Sequence, residues 1–465
     1  MTRVRTLRWL NARNADEIAV AGFSCDHSAV DDRWSLAIPV AFVCGACVLG
    51  YMIASERWLL VAVAVGLMLL LLRPIEVALG LYAFLIPFES MTTFGSGDAP
   101  TATLLRYVGL LAICMTIGVC WLRKRITRAP TTARLWSLFV LWAVSSSLWA
   151  IEPEKALARI PTAVGLWLLY MVIVSVRIST IEISRVALLT ILGGCGASLY
   201  SVYMFMQTGG VSGRVSLAEG SGQADPNFFG LTLLLPLSVA CGEALSSRTL
   251  LRRLFFFIAT GLISVAVCLT MSRGMLAAVG VIIIVFLVRY RLNLRVLIPA
   301  AVTGMALLIM PREFFERFGE ASATRLAGRQ DIWQVGIHAL QRYGIFGAGL
   351  DNFPYAFQKY QGTSHFFAGD QRDAHNIYLA ASVEFGILGI LLLIAAFRSH
   401  FRALPRFSSD GLVSARLVAL EAACWGMLIA GLTLNILWRK AFWFVWAFSL
   451  ASAQSLRKPQ DNLSA

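Results

Sequence analysis

The chain has 465 residues, of which 58% are hydrophobic and only 14% charged, and its formal net charge is +14. Soluble domains carry about a quarter charged residues, so this chain has too little charge to cover a water-facing surface. The positive balance does not indicate a nucleic-acid partner, because the basic residues stand in short clusters between apolar runs.

In chain order, residues 1–33 are polar and basic and read as a cytoplasmic tail. No apolar run with a small-residue cleavage site follows them, so no removable signal peptide is expected. Long uncharged stretches such as Trp58–Leu72 and Leu276–Val288 then recur. Lipid is the natural solvent for such runs, since a spanning helix satisfies its own backbone hydrogen bonds. Apolar spans are expected at 36–53, 57–72, 75–88, 104–122, 134–150, 160–176, 186–206, 228–244, 253–271, 275–289, 294–310, 376–397, 414–436 and 440–454. This predicts an all-α integral membrane protein of about 12–14 transmembrane helices, the lower number if the second and third spans form a re-entrant pair. Helices fill 34–310 and 376–455, one large loop with short helices occupies 311–375, and 456–465 is a second cytoplasmic tail.

Lysine and arginine concentrate on the cytoplasmic side of membrane proteins. Alternate loops carry them here: Arg123, Lys124, Arg125 and Arg128; Arg248, Arg252 and Arg253; Arg289, Arg291 and Arg295; Arg398, Arg402 and Arg406. Both termini are therefore expected inside. Residues 207–227, the Ser272-Arg273-Gly274 turn and the 311–375 loop are expected outside. Within that loop, Gln330–Arg342 has a helical period that puts Ile332, Trp333, Ile337 and Leu340 on one face, with Gly344 as its stop.

Arginine outside runs against the topological bias, so each instance calls for a reason. Arg273 interrupts two apolar spans near the membrane boundary, where a guanidinium either snorkels to headgroups or meets an anion. Its fork of donors suits phosphate oxygens. Arg329 opens the amphipathic helix, where free N–H groups also favour an anion, although a solvated loop charge is the plainer alternative. Arg214 and Arg325 are weaker instances in long loops. His375 stands where the loop enters the next span, beside Asp373 and Asn376, and can accept a hydroxyl proton. Of the other histidines, His27 and His400 fall inside, while His338 and His365 share the loop in less telling settings. Asp225-Pro226 reads as a helix cap. Asp370 and Asp373 alone make a poor magnesium cage, and Cys44-x-x-Cys47 lacks the second pair of a zinc site, so no cofactor or metal is expected.

These residues resemble the O-antigen ligase and polymerase superfamily of bacterial surface-polysaccharide enzymes. The matching features are Ser272-Arg273-Gly274, Gly328-Arg329-x-x-Ile332-Trp333 and Gly347-x-Gly349-x-x-Asn352-Phe353, then His375-Asn376-x-Tyr378-Leu379 and Glu384-Phe385-Gly386-x-x-Gly389. The resemblance implies an all-helical glycosyltransferase C-type fold in the bacterial inner membrane, with the large loop in the periplasm. It implies transfer of a glycan from undecaprenyl diphosphate onto lipid A–core oligosaccharide (ligase) or onto the same carrier (polymerase), with the ligase reading favoured. It maps functional arginines onto Arg273, Arg329 and Arg214, and the functional histidine onto His375. A transporter or flippase for the same lipid is the rival class, and would want charges near the middle of several spans. Here most charges lie at span ends.

Overall fold

The computed structural model describes residues 73–91, 93–94, 102–207, 214–217, 225–290, 301, 303–305, 328–363, 371–405 and 411–457. The expected spans at 36–53 and 57–72 lie outside these residues, as do most of 294–310 and the candidate Arg325. The helices are α1 (Pro74–Leu85), α2 (Leu104–Leu122), α3 (Thr131–Ser145), α4 (Pro153–Val174), α5 (Thr180–Gln207), α6 (Pro226–Ser246) and α7 (Leu250–Leu269). They continue with α8 (Arg273–Tyr290), α9 (Arg329–Tyr343), α10 (Phe353–Tyr360), α11 (Ile377–Ala403), α12 (Gly411–Ala430) and α13 (Lys440–Arg457). Two strands of two residues, β1 (Thr93–Phe94) and β2 (Ala102–Thr103), pair antiparallel between α1 and α2.

The protein is an all-α, multi-pass membrane protein. Among the described residues, six helices (α2, α4, α5, α6, α7 and α11) are long and apolar enough to cross a bilayer. Large apolar side chains such as Leu110, Leu141 and Ile258 remain exposed on the outside of the bundle, where lipid would cover them. Helices in lipid associate through close packing, because tails are as apolar as leucine. Accordingly α12 lies against α6 and α8, and α11 against α3. A side chain at Gly242 of α6 would run into Ala419 of α12, and Ser238 donates to the Ala419 carbonyl at 2.6 Å. Trp136, fully buried on α3, gathers Tyr170, Phe397, Phe442, Trp443 and Trp446 around it.

The arginine-rich connections collect at one end of the bundle. Arg125 pairs with Glu182 at 2.8 Å, and Arg177 donates its backbone N–H to the Arg125 carbonyl. Thr132 meets Ser399 at 3.0 Å at that same end of α3 and α11. The opposite end carries the turn 270–272, the start of α9, residues 371–376 and the link 431–439.

Helix α11 is broken. Gly386 has φ 64° and ψ −165°, which separates 377–385 from 387–403. The break frees carbonyls that a continuous helix would use, and a neighbouring glycine-rich segment takes them up. Ala348 and Gly349 donate N–H groups to the carbonyls of Val383 and Glu384 at 2.7 and 2.9 Å. The Trp142 indole donates to the carbonyl of Phe385 at 2.8 Å. A side chain at Gly349, where φ is 104°, would strike Ala150. This close approach is the physical content of the Gly347-x-Gly349 and Glu384-Phe385-Gly386 motifs.

Helix α9 forms where its period predicts, with one of its expected inward residues facing out. Ile332, Val335 and Ala339 pack with Phe353, Phe357, Ala374 and Val383, whereas Ile337 is 58% exposed. Of the expected stripe, Ile332, Trp333 and Leu340 do pack on this cluster, and only Ile337 is corrected: five residues of helix rotate it well away from Ile332. Gly344 ends α9 by donating to the Leu340 carbonyl, in ordinary right-handed conformation.

Candidate active site

Each site residue is delivered by a helix end. Asp225 caps α6, accepting from the Asn227 N–H at 2.8 Å, as the Asp-Pro pair predicts. The same carboxylate oxygen accepts from Asn227 Nδ2 at 2.7 Å, and Asn227 Oδ1 accepts from Arg214 Nη2 at 2.5 Å. Arg214 Nε also donates to the Thr270 carbonyl at 3.1 Å. Arg214 is therefore committed to holding the turn from which Arg273 starts α8.

Arg273 is half-buried, and its Nη1 has no hydrogen-bond partner among the described residues. Gly274 beside it lies against Thr433, which ties this turn to the 431–439 link. Arg329, at the first turn of α9, follows Gly328, whose φ of 77° needs a residue without a side chain. Burial, and next the like charge of Arg273, hold the Arg329 guanidinium below the usual arginine pKa, with Asp225 opposing. Two cations thus lie within electrostatic reach of one another, with no carboxylate bonded to either among the described residues.

His375 is set by a short connection bonded on both sides of it. The Trp333 indole of α9 donates to the Ala374 carbonyl at 3.2 Å, and Asn376 caps α11 by accepting from Tyr378 and Leu379 N–H groups at 2.9 and 3.1 Å. Between them His375 adopts φ 46°, a left-handed conformation uncommon for a residue with a side chain. Strain of this kind clusters at functional positions. Burial lowers the imidazole pKa; Asp373 opposes this, and Arg329 adds to it. Asp373 itself accepts from Asn435 Nδ2 at 2.9 Å and from the Ala374 N–H at 2.7 Å. It therefore acts on the imidazole through its charge rather than by bonding to the ring.

Arg439, just before α13, was not singled out by sequence. Its guanidinium carbon stands 3.8 Å from the centroid of Phe228 on α6. The side chain keeps solvent-accessible surface, yet burial is the main cause of its lowered pKa, with Glu89 opposing. The signal was available: the arginine pattern assigns residues 437–439 to a link on the outer side, so Arg439 runs against the expected positive-inside bias as Arg273 does. Its neighbour Lys440 is locked instead, donating to Glu89 at 2.6 Å and Thr103 at 2.5 Å.

Deeper in, Glu384 is 2% exposed and accepts from the Phe353 N–H at 3.2 Å. Asp351, at φ 58°, pairs with Arg159 at 3.6 Å. Asp370 lies outside the described residues, and among those described no group of three His, Cys, Asp or Glu side chains gathers as a metal site.

Residues 258–394 match the family described as O-antigen ligase. This segment belongs to the O-antigen ligase and polymerase superfamily. It runs from within α7 to beyond the break in α11 and contains Arg273, Arg329, Asp373, His375 and Asn376. Arg214, Asp225 and Arg439 come from outside the matched segment. Members of this family are membrane glycosyltransferase-like enzymes acting on lipid-linked polysaccharide. No curated protein matches the chain.

Proposed function

We propose that the protein is an O-antigen ligase, moving a glycan from undecaprenyl diphosphate to lipid A–core oligosaccharide at the periplasmic face of the inner membrane. The observation that carries this reading is the pair Arg273 and Arg329, two guanidiniums within electrostatic reach of one another and without a bonded counter-ion among the described residues, near a histidine whose pKa is lowered. A diphosphate supplies the missing charge and suits forked donors.

In the reaction, the bond between the anomeric carbon and the diphosphate oxygen breaks, and its electron pair leaves on the diphosphate. Arg273 and Arg329 stabilise that charge, aided by the start of α9. His375 takes the proton of the acceptor hydroxyl as its oxygen bonds to the anomeric carbon from the opposite face, which inverts that centre. Arg214 and Asp225 position Asn227 and the 270–272 turn. Neutralisation by guanidinium makes the reaction metal-independent.

The test is a purified protein incubated with lipid-linked glycan and lipid A–core. Glycan appearing on the core, together with glycan-loaded carrier accumulating in a deletion strain, is expected. Chain growth on the carrier without transfer to core would replace the ligase reading with a polymerase using the same donor.

A further inference from the structure

At the arginine-rich end of the bundle, α8, α11 and α12 line an open pocket of about 400 Å³ that takes no part in the chemistry above. It lies at the far end of α8 from Arg273, sixteen residues away, or roughly 24 Å by helical rise, most of the thickness of a hydrocarbon core. Its wall is split by chemistry. Arg289 is spent on Glu421: Nε donates to Oε2 at 3.0 Å and Nη2 to Oε1. Arg398 and Arg402 also line it, exposed and four residues apart on α11, and neither has an ion-pair or hydrogen-bond partner among the described residues. Like charges at that spacing lie on one helix face and repel. Beneath them Phe401 and Trp425 stack with ring centroids 4.5 Å apart, and Trp425 is 39% exposed.

We propose that this cavity binds the headgroup of an anionic phospholipid. The phosphate lies between Arg398 and Arg402, and the Arg289–Glu421 pair holds the back wall without adding net charge. The first carbons of the acyl chains run over Phe401 and Trp425 towards the lipid-facing side of the bundle. A soluble phosphate would use the arginines but has no use for the stacked aromatic floor. A zwitterionic lipid would use the floor but brings its own cation against two arginines. Basic pockets between helices at the cytoplasmic leaflet recognise anionic headgroups by this division. The inference is independent of the transfer reaction, because none of these residues touches the donor site.

The test is a lipid titration of the whole protein in neutral detergent, read by native mass spectrometry. Cardiolipin or phosphatidylglycerol should be retained over phosphatidylcholine, and R398Q/R402Q should weaken that retention roughly thirty-fold. R398K/R402K should keep most of it, which separates lost charge from lost fold. Equal retention of the three lipids, or equal retention by wild type and R398Q/R402Q, overturns the proposal. Displacement of bound lipid by millimolar inorganic phosphate overturns it in favour of a soluble anion.

Discussion

Arg273 and Arg329 come from different helices and stand close enough for the charge of one to lower the pKa of the other, while Nη1 of Arg273 has no hydrogen-bond partner among the described residues. Bringing two cations together with no bonded acid costs stability that the fold recovers only when an anion arrives. Replacing either by alanine should cut transfer about 10²–10³-fold, the usual cost of a lost charge-stabilising donor. Lysine should rescue only in part, since it keeps charge and loses the fork. Full activity of both variants at a site, in an assay with purified protein, would remove that arginine from the diphosphate role.

His375 should serve the acceptor rather than the donor. H375A should lower transfer by about 10²–10⁴-fold and leave donor-lipid binding near wild type. Both quantities can be read on one preparation; loss of donor binding would move the histidine into the diphosphate site.

The pH profile follows from the same surroundings. Burial, reinforced by Arg329, lowers the imidazole pKa, so the base stays neutral at pH 7 and is lost only when pH falls below the ordinary histidine value of about 6.5. Asp373 opposes the shift, so D373N should move the acid limb of the rate profile to still lower pH. A limb that moves upward in D373N would contradict the charge effect assigned to Asp373.

Transfer by purified enzyme should survive EDTA, because the guanidiniums stand where a cation would otherwise be needed. Activity lost in EDTA and restored by magnesium or manganese would make a divalent ion part of the reaction.

G386A should damage the fold rather than the chemistry. The residue sits at φ 64°, and a side chain there would run into the Ile345 carbonyl. A destabilisation of at least about 1–3 kcal/mol is expected, seen as a lower unfolding temperature in detergent, with Trp142 and the 344–349 segment losing their shared carbonyls.

Some of this was legible in the residues alone. Long uncharged runs can be solvated only by lipid, so the helical membrane class follows from composition, and the clustered arginines between runs order the connections. Arg273, Arg329 and His375 stood out because charge at a membrane boundary needs a local reason, and a local reason can be read from local sequence. The Asp225 cap and α9 were legible on the same grounds, since both depend on neighbours within one turn. What the sequence left open depends on groups far apart in the chain. That Arg214 is consumed by Asn227 and Thr270, that Asp373 bonds Asn435 rather than His375, and that Ile337 faces out all follow from which helix ends meet. The glycine motif 347–349 reads as a loop until Gly386 breaks α11 and frees the carbonyls it must satisfy. Arg439 meets Phe228 only because α13 starts beside α6. Periodicity reports the solvent of each helix, but the pairing of polar groups is decided by packing between helices, and only the tertiary structure contains that.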